Sequence, residues 1–298
     1  MRVRRLLIIA VPAVALFAMP AVSAPPPAPA APLAPRWVST SHHVAVGHLT
    51  RTYLLVRPPA TRNQSLPVII ILHGRNATPE VAERQTGFEP YVGRAILVYP
   101  AGYQNSWNAG ACCGGAHIAA VDDVGFLTRL VDHVVDSQHD AARRRVFLVG
   151  FSNGGRMASR LSCAQPAMFA GVAIVGAMPV ATCPRPPRVP LIEMAFAGDP
   201  LLTLTASQPH KRLNGYEESS IEEQVAAQRR VNACTATANS RAEPGLMVTS
   251  WTACAGGRSV ELAVYDGATH AWPGGDVSRP SGAQLIWQFF QTVPPSSA

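Results

Sequence analysis

The sequence predicts an α/β fold, a mostly parallel sheet with helices on both faces. Three observations carry that prediction. Short runs rich in isoleucine and valine, such as LPVIIIL, show no polar alternation and read as strands buried on both faces. Other stretches place apolar residues at helical spacing. The two kinds alternate along the chain, as parallel strands require, because each return to the same sheet edge needs a crossover.

The elements follow in order. HVAVGHLTRTYLLVRP reads as two early strands, LPVIIILHG as a third and RAILVYPAG as a fourth. DDVGFLTRLVDHVVDSQ sets Val124, Leu127, Leu130, Val131 and Val134 on one helical face, with Asp122 or Asp123 as the cap. RRRVFLVG is a strand and GGRMASRLSC a helix. FAGVAIVGAM and VPLIEMAFAG are two further strands. SIEEQVAAQRRVNAC is a helix opened by serine, with acids in its first turn. RSVELAVYDG is the last strand and GAQLIWQFFQTV the last helix.

The first 24 of the 298 residues stand apart. MRVRR is basic, the apolar stretch after it is broken by two prolines, and small residues follow at Val22 and Ala24. This is the layout of a secretory signal peptide over 1–24; a membrane anchor is the rival reading. PPPAPAAPLAP, residues 25–35, lacks the donors for helix or sheet and reads as an extended tether. Residues 36–298 suit one catalytic domain with a sizeable core. The last predicted helix ends close to the end of the sequence, so no appended polymer-binding domain is expected. That favours soluble or oligomeric substrates.

The formal charge is +7, and losing Arg2, Arg4 and Arg5 with a leader would leave +4. Lys211 is the only lysine. No basic run interleaved with aromatics points to nucleic acid. The six cysteines are an even count, as an exported disulfide-bonded chain would have. Cys234 and Cys254 bracket one local excursion and are expected to pair. Adjacent Cys112 and Cys113 are not expected to bond, because the intervening peptide would be strained. The spacings lack two close Cys pairs of the kind that hold zinc, and no metal or organic cofactor is implied.

VGFSNGGRMA, residues 149–158, carries the chemistry. A serine flanked by glycines two places away, after a strand and before a helix, is a nucleophile elbow. The turn exposes the Ser152 hydroxyl above the sheet edge, and the helix N-terminus favours developing negative charge. A serine needs a base, and in this fold the order is serine, acid, histidine. Downstream lie His210, in a polar loop and expected to be exposed, and His270, directly after the last strand. His270 is the candidate base. Asp199 follows a strand end and is the candidate acid. Asp266 reads as a turn residue, and Glu193, inside a strand, points the wrong way. The oxyanion donors are expected to be the backbone N–H groups of Asn153 and Arg75, the latter in LHGRNA. His73 precedes the serine and shapes that loop.

LHGRNA, WNAGACCGGAHIAAVDDVGFL, GFSNGGRMA, AGDPLL and GATHAWPGG together span residues 71 to 275. On these stretches the chain resembles the secreted esterases grouped as polyhydroxybutyrate depolymerase-like, which include feruloyl and acetylxylan esterases. The resemblance implies an α/β-hydrolase fold, a serine carboxylester hydrolase working through an acyl-enzyme, and Ser152, Asp199 and His270 as its triad. It also places Trp107 and Trp272 near the site, where flat rings would hold an aromatic acyl group or a sugar; packing of a loop onto the core is the equal alternative. Two departures bear on substrate. Ala195 and Phe196 stand where relatives have histidine and glycine before the acid, which would narrow the pocket there. Arg75 replaces a cysteine. A non-catalytic binding protein on the same fold is the competing class, and a peptidase a third.

Overall fold

The computed structural model describes residues 37–58, 64–235 and 237–296. The expected leader over 1–24 and tether over 25–35 lie outside them. The chain opens with β1 (Val38–Val46) and β2 (Leu49–Arg57), then β3 (Leu66–Leu72), α1 (Pro79–Thr86) and β4 (Ile96–Pro100). A short α2 (Gly114–Ile118) and α3 (Asp123–Ser137) lead to β5 (Ala141–Phe151), α4 (Asn153–Ala164), β6 (Gly171–Val175) and β7 (Leu191–Phe196). A small hairpin, β8 (Arg212–Leu213) and β9 (Tyr216–Glu217), precedes α5 (Ile221–Val231). Then come β10 (Asn239–Glu243), β11 (Leu246–Trp251), β12 (Val260–Tyr265) and α6 (Gly282–Thr292).

Ten strands form one sheet in the order β1-β2-β4-β3-β5-β6-β7-β12-β11-β10. From β4 to β12 every pairing is parallel. Each edge carries an antiparallel extension, β1–β2 on one side and β11–β10 on the other. The parallel centre is covered on both faces, and strand alternation divides the core in two. On β3, Val68, Ile70 and Leu72 face α3 and α4, where Phe126, Leu130, Met157 and Leu161 are buried. Ile69 and Ile71 face the other way, toward Ala82 of α1 and Ile286 and Phe290 of α6. Each such fully buried branched side chain contributes about 1.5–3 kcal/mol.

The helix ends follow their capping chemistry. Asp122 caps α3 by accepting from the Gly125 N–H, 2.8 Å away. Leu127, Leu130, Val131 and Val134 are buried along that helix as predicted, while Val124 is only half-buried. Ser220 and Glu223 form a reciprocal capping box at the start of α5. Elements that the sequence pattern did not reveal are α1, α2, the β8–β9 hairpin and β10–β11. β10 is an edge strand of mostly exposed polar residues, so it has no apolar alternation to betray it.

Two disulfides, Cys163–Cys183 and Cys234–Cys254, tie α4 to the loop after β6 and α5 to the loop after β11. The second is the expected pair. The adjacent Cys112 and Cys113 form a third, across a cis peptide bond, and this corrects the expectation that neighbours would not join.

A buried ion pair fixes the long loop between β4 and α3. The Arg51 guanidinium donates to Asp123 Oδ1 at 2.9 Å and to the Ala101 carbonyl at 3.0 Å, and it lies over the Phe126 ring. Asp123 Oδ2 accepts from the Asn108 N–H at 2.8 Å. Both side chains are almost wholly buried. Asp123→Ala would leave a guanidinium and an amide without their acceptor in the interior. It is expected to destabilise the fold by about 3–5 kcal/mol, read from the urea unfolding midpoint of purified protein.

Candidate active site

Ser152 sits where β5 turns into α4, with φ 53° and ψ −120°. A positive φ is costly for any residue but glycine, and the structure supports it by close packing on both sides. A Cβ on Gly150 would lie 2.2 Å from the Gly154 carbonyl oxygen, and one on Gly154 would lie 2.2 Å from that of Leu72. No larger side chain fits at either place, which is why the motif keeps both glycines. The Ser152 N–H donates to the Val175 carbonyl of β6 at 2.8 Å and anchors the turn to the sheet.

Three strand ends then converge. His270 stands five residues after β12, and Asp199 three residues after β7. His270 Nε2 lies 2.8 Å from Ser152 Oγ, and His270 Nδ1 lies 2.8 Å from Asp199 Oδ2. A carboxylate only accepts, so Nδ1–H donates to Asp199 and Nε2 is left to accept the serine proton. The other carboxylate oxygen, Oδ1, accepts from the Leu201 N–H at 2.8 Å, which fixes the acid in place. The imidazole stacks on Phe151, with ring centres 5.4 Å apart. Asp199 is buried and His270 only partly so, as suits a base that must meet substrate.

The loop after β3 approaches from the other side. Neutral His73 donates from Nδ1 to the Gly74 carbonyl at 2.8 Å and accepts at Nε2 from the Gly102 N–H at 2.9 Å. Burial pushes its pKa down, which keeps the ring neutral and able to accept. This histidine therefore shapes the Gly74–Arg75 turn, as expected. The N–H groups of Arg75 and Asn153 are not spent on acceptors among the described residues. Both residues line the cleft that holds Ser152, a cavity of about 280 Å³. The Asn153 side chain points inward instead: Oδ1 accepts from the Trp107 N–H at 2.8 Å, and Nδ2 donates to the Trp107 carbonyl at 2.9 Å.

Of the two readings of Trp107 and Trp272, their burial fits packing onto the core and not an open substrate platform. Trp107 is fully buried, donates from its indole to the His73 carbonyl at 2.9 Å and stacks on Phe126. Trp272 is buried against Phe88 and Phe151. Neither lines the Ser152 cleft. Their area packs against the core instead. Ala195 and Phe196, with Asp199, help to line a neighbouring cavity of about 510 Å³.

The other candidates fall where the sequence put them, with one difference. Asp266 is an exposed turn residue. Glu193 is buried inside β7, where burial pushes its carboxyl well above the usual range, and it accepts from Gln224 of α5 at 3.1 Å, away from the site. His210 is not simply exposed; it lies 2.9 Å from Glu223 and 3.5 Å from Glu217. Sequence reading missed Arg156, Lys211, Arg212 and Glu218, which complete the cleft wall. The Asn214–Gly215 pair, with φ of 50° and 81°, was the available signal for the hairpin that brings three of them there. Among the described residues, no group of three or more His, Cys, Asp or Glu side chains could hold a metal ion.

No family model matches the chain. The curated protein called "Putative esterase NocK", from Nocardia uniformis subsp. tsuyamanensis, is 30% identical over 264 residues, which cover 80% of this chain and 75% of that one. The chain belongs to this esterase family. Solved structures show the same fold at much lower identity. An acetyl xylan esterase from Aspergillus awamori aligns with TM-score 0.58 at 13% identity, over 85% of this chain and 99% of its own. A thermostable esterase aligns with TM-score 0.54 at 13% identity, over 87% of this chain; the chain spans 64% of that protein's length. The fold is that of the α/β-hydrolases, and the family is one of carboxylic ester hydrolases.

Asn153→Ala would keep the backbone N–H beside Ser152 but remove both bonds to Trp107, leaving the buried Trp107 N–H without a partner and its carbonyl with only the Cys113 N–H. The variant is expected to lose about 1–3 kcal/mol of stability, measured by denaturant unfolding.

Proposed function

We propose that the protein is an exported serine carboxylester hydrolase that works through an acyl-enzyme on soluble or oligomeric esters. The observation that carries this reading is the unbroken line from Ser152 Oγ through the His270 ring to Asp199, with 2.8 Å at each contact. His270 takes the hydroxyl proton as Ser152 Oγ attacks the ester carbonyl. The oxyanion of the tetrahedral intermediate is met by the N–H groups of Asn153 and Arg75. His270 then gives its proton to the leaving alkoxide, and the alcohol departs. Water repeats the sequence on the acyl-serine, releasing the acid and restoring the hydroxyl. Asp199 stabilises the imidazolium in both halves and holds the productive tautomer.

The substrate preference follows from the size of the cleft. About 280 Å³ sits at the lower end of the range for small-molecule sites and suits a short acyl or alcohol group. Neither tryptophan offers an open face, which weighs against a feruloyl or sugar group stacked on an indole. Polyhydroxybutyrate-type oligoesters and acetylated sugars remain the two substrate groups to compare. Export is supported by the leader pattern over 1–24 and by three disulfides among the described residues.

With 4-nitrophenyl acetate, wild-type enzyme should show steady turnover, and Ser152→Ala should lose at least about 10⁴-fold in kcat. Unchanged hydrolysis by Ser152→Ala would reject the reading. Asp199→Asn should lose about 10⁴-fold in kcat while the fold, followed by circular dichroism, stays intact, because an amide favours the wrong imidazole tautomer. Mass spectrometry of protein recovered from the culture medium or periplasm should show an N-terminus between Pro25 and Arg36.

A further inference from the structure

The wall of the Ser152 cleft has more positive charge than its acids balance. Arg75, Arg156, Lys211 and Arg212 line it, against Glu218 as the lining carboxylate outside the triad. Two of the four cations are matched. Arg156 donates through Nε and a terminal nitrogen to Glu218 Oε1, a pair that is almost wholly buried. Arg212 pairs with Glu217 at 2.6 Å. The other two have no carboxylate within ion-pair distance among the described residues. Arg75 is exposed and its guanidinium has no hydrogen-bond acceptor there. Lys211 Nζ donates to the Pro200 carbonyl, next to the triad acid.

The matched pairs do not absorb the excess. Burial pushes the Glu218 carboxyl up, while Arg156 and then Lys211 pull it back toward ionisation, so two cations act on one carboxylate. Asp199 is committed to His270 and the Leu201 N–H. The position of Lys211 also sets it apart. Every other base is arginine, yet the chain's single lysine stands at the mouth of the site, half-buried and held against a backbone carbonyl. An ammonium bonded to a neutral carbonyl keeps two further protons for an acceptor.

We infer that the cleft selects esters that carry a carboxylate close to the scissile bond, with Lys211 and the Arg75 side chain as the groups that bind it. This rests on the esterase reading of Ser152 and deepens it. A neutral acyl or alcohol group would leave the two charges solvated and gains nothing from them. A carboxylate gains charge-assisted hydrogen bonds in a cleft where water is partly excluded. Arg75 then has two separate parts: its N–H faces the oxyanion, and its guanidinium faces the substrate's anionic end.

The test uses two matched pairs of esters. One pair carries the charge on the alcohol side, 4-acetoxybenzoate against 4-acetoxybenzamide. The other carries it on the acyl side, mono-4-nitrophenyl adipate against its methyl ester. The readout is the anionic-to-neutral ratio of kcat/KM. In wild type that ratio should exceed one for at least one pair and fall as NaCl rises from about 20 mM to about 0.5 M. Lys211→Gln should lower it by about 10-fold or more, the loss expected for one hydrogen bond to a charged group. Lys211→Glu should lower it further, and Lys211→Arg should retain most of it. Ratios that are indifferent to salt and to Lys211→Gln in both pairs would overturn the inference and leave the esterase reading standing. Failure of wild type to hydrolyse any of the four esters or 4-nitrophenyl acetate would remove both.

Discussion

The left-handed backbone at Ser152 is the constraint on which the rest of the site depends. A strand must stop, reverse its direction and become a helix within one residue, and the serine oxygen must end up outside the bend. That is possible only because backbone from two neighbouring segments closes in on Gly150 and Gly154 from below. The turn is therefore held by packing, not by its own preference, and local strain is offset by the stability of the sheet. The hydrogen bond from Ser152 to β6 belongs to the same support.

Around this turn the loops are fixed by buried polar groups. Asn153 grips both polar atoms of the Trp107 backbone, His73 bridges the loops after β3 and β4, and Asp123 joins the Asn108 backbone to Arg51. Each group is nearly satisfied, so the interior tolerates it. The result is a firmly held floor beneath Arg75 and Asn153, both of which line the cleft. The long stretch WNAGACCGGAHIAAVDDVGFL is thus explained physically: Trp107, Asn108 and Asp123 are the contact points that clamp one irregular loop under the nucleophile.

Much of this was legible in the amino-acid order. Isoleucine-rich runs such as Leu66–Leu72 read as central strands, and Ser152 with its glycines, set between a strand and a helix, read as a sharp turn. Asp199 and His270 were readable because both follow strand ends, where parallel sheets gather ligands. Less was legible where burial and charge depend on distant partners. Trp272 stands two residues after His270 and Trp107 in the long loop after β4, yet nothing local tells which way an indole will face. Lys211 and Arg156 come from segments more than fifty residues apart, and only the folded chain sets them on one wall.

The serine and histidine that share a proton are 118 residues apart, and the acid lies 71 residues before the histidine. No fragment that lacks β12 or β7 can assemble the relay, however native its β5–α4 turn. Competence therefore arrives late, once the most distant strands have docked, as pairings of high sequence separation generally do. On the proposed reading of Ser152, Asp199 and His270, the nascent chain is catalytically silent for most of its synthesis, and appearance of turnover doubles as a clock for completion of the sheet.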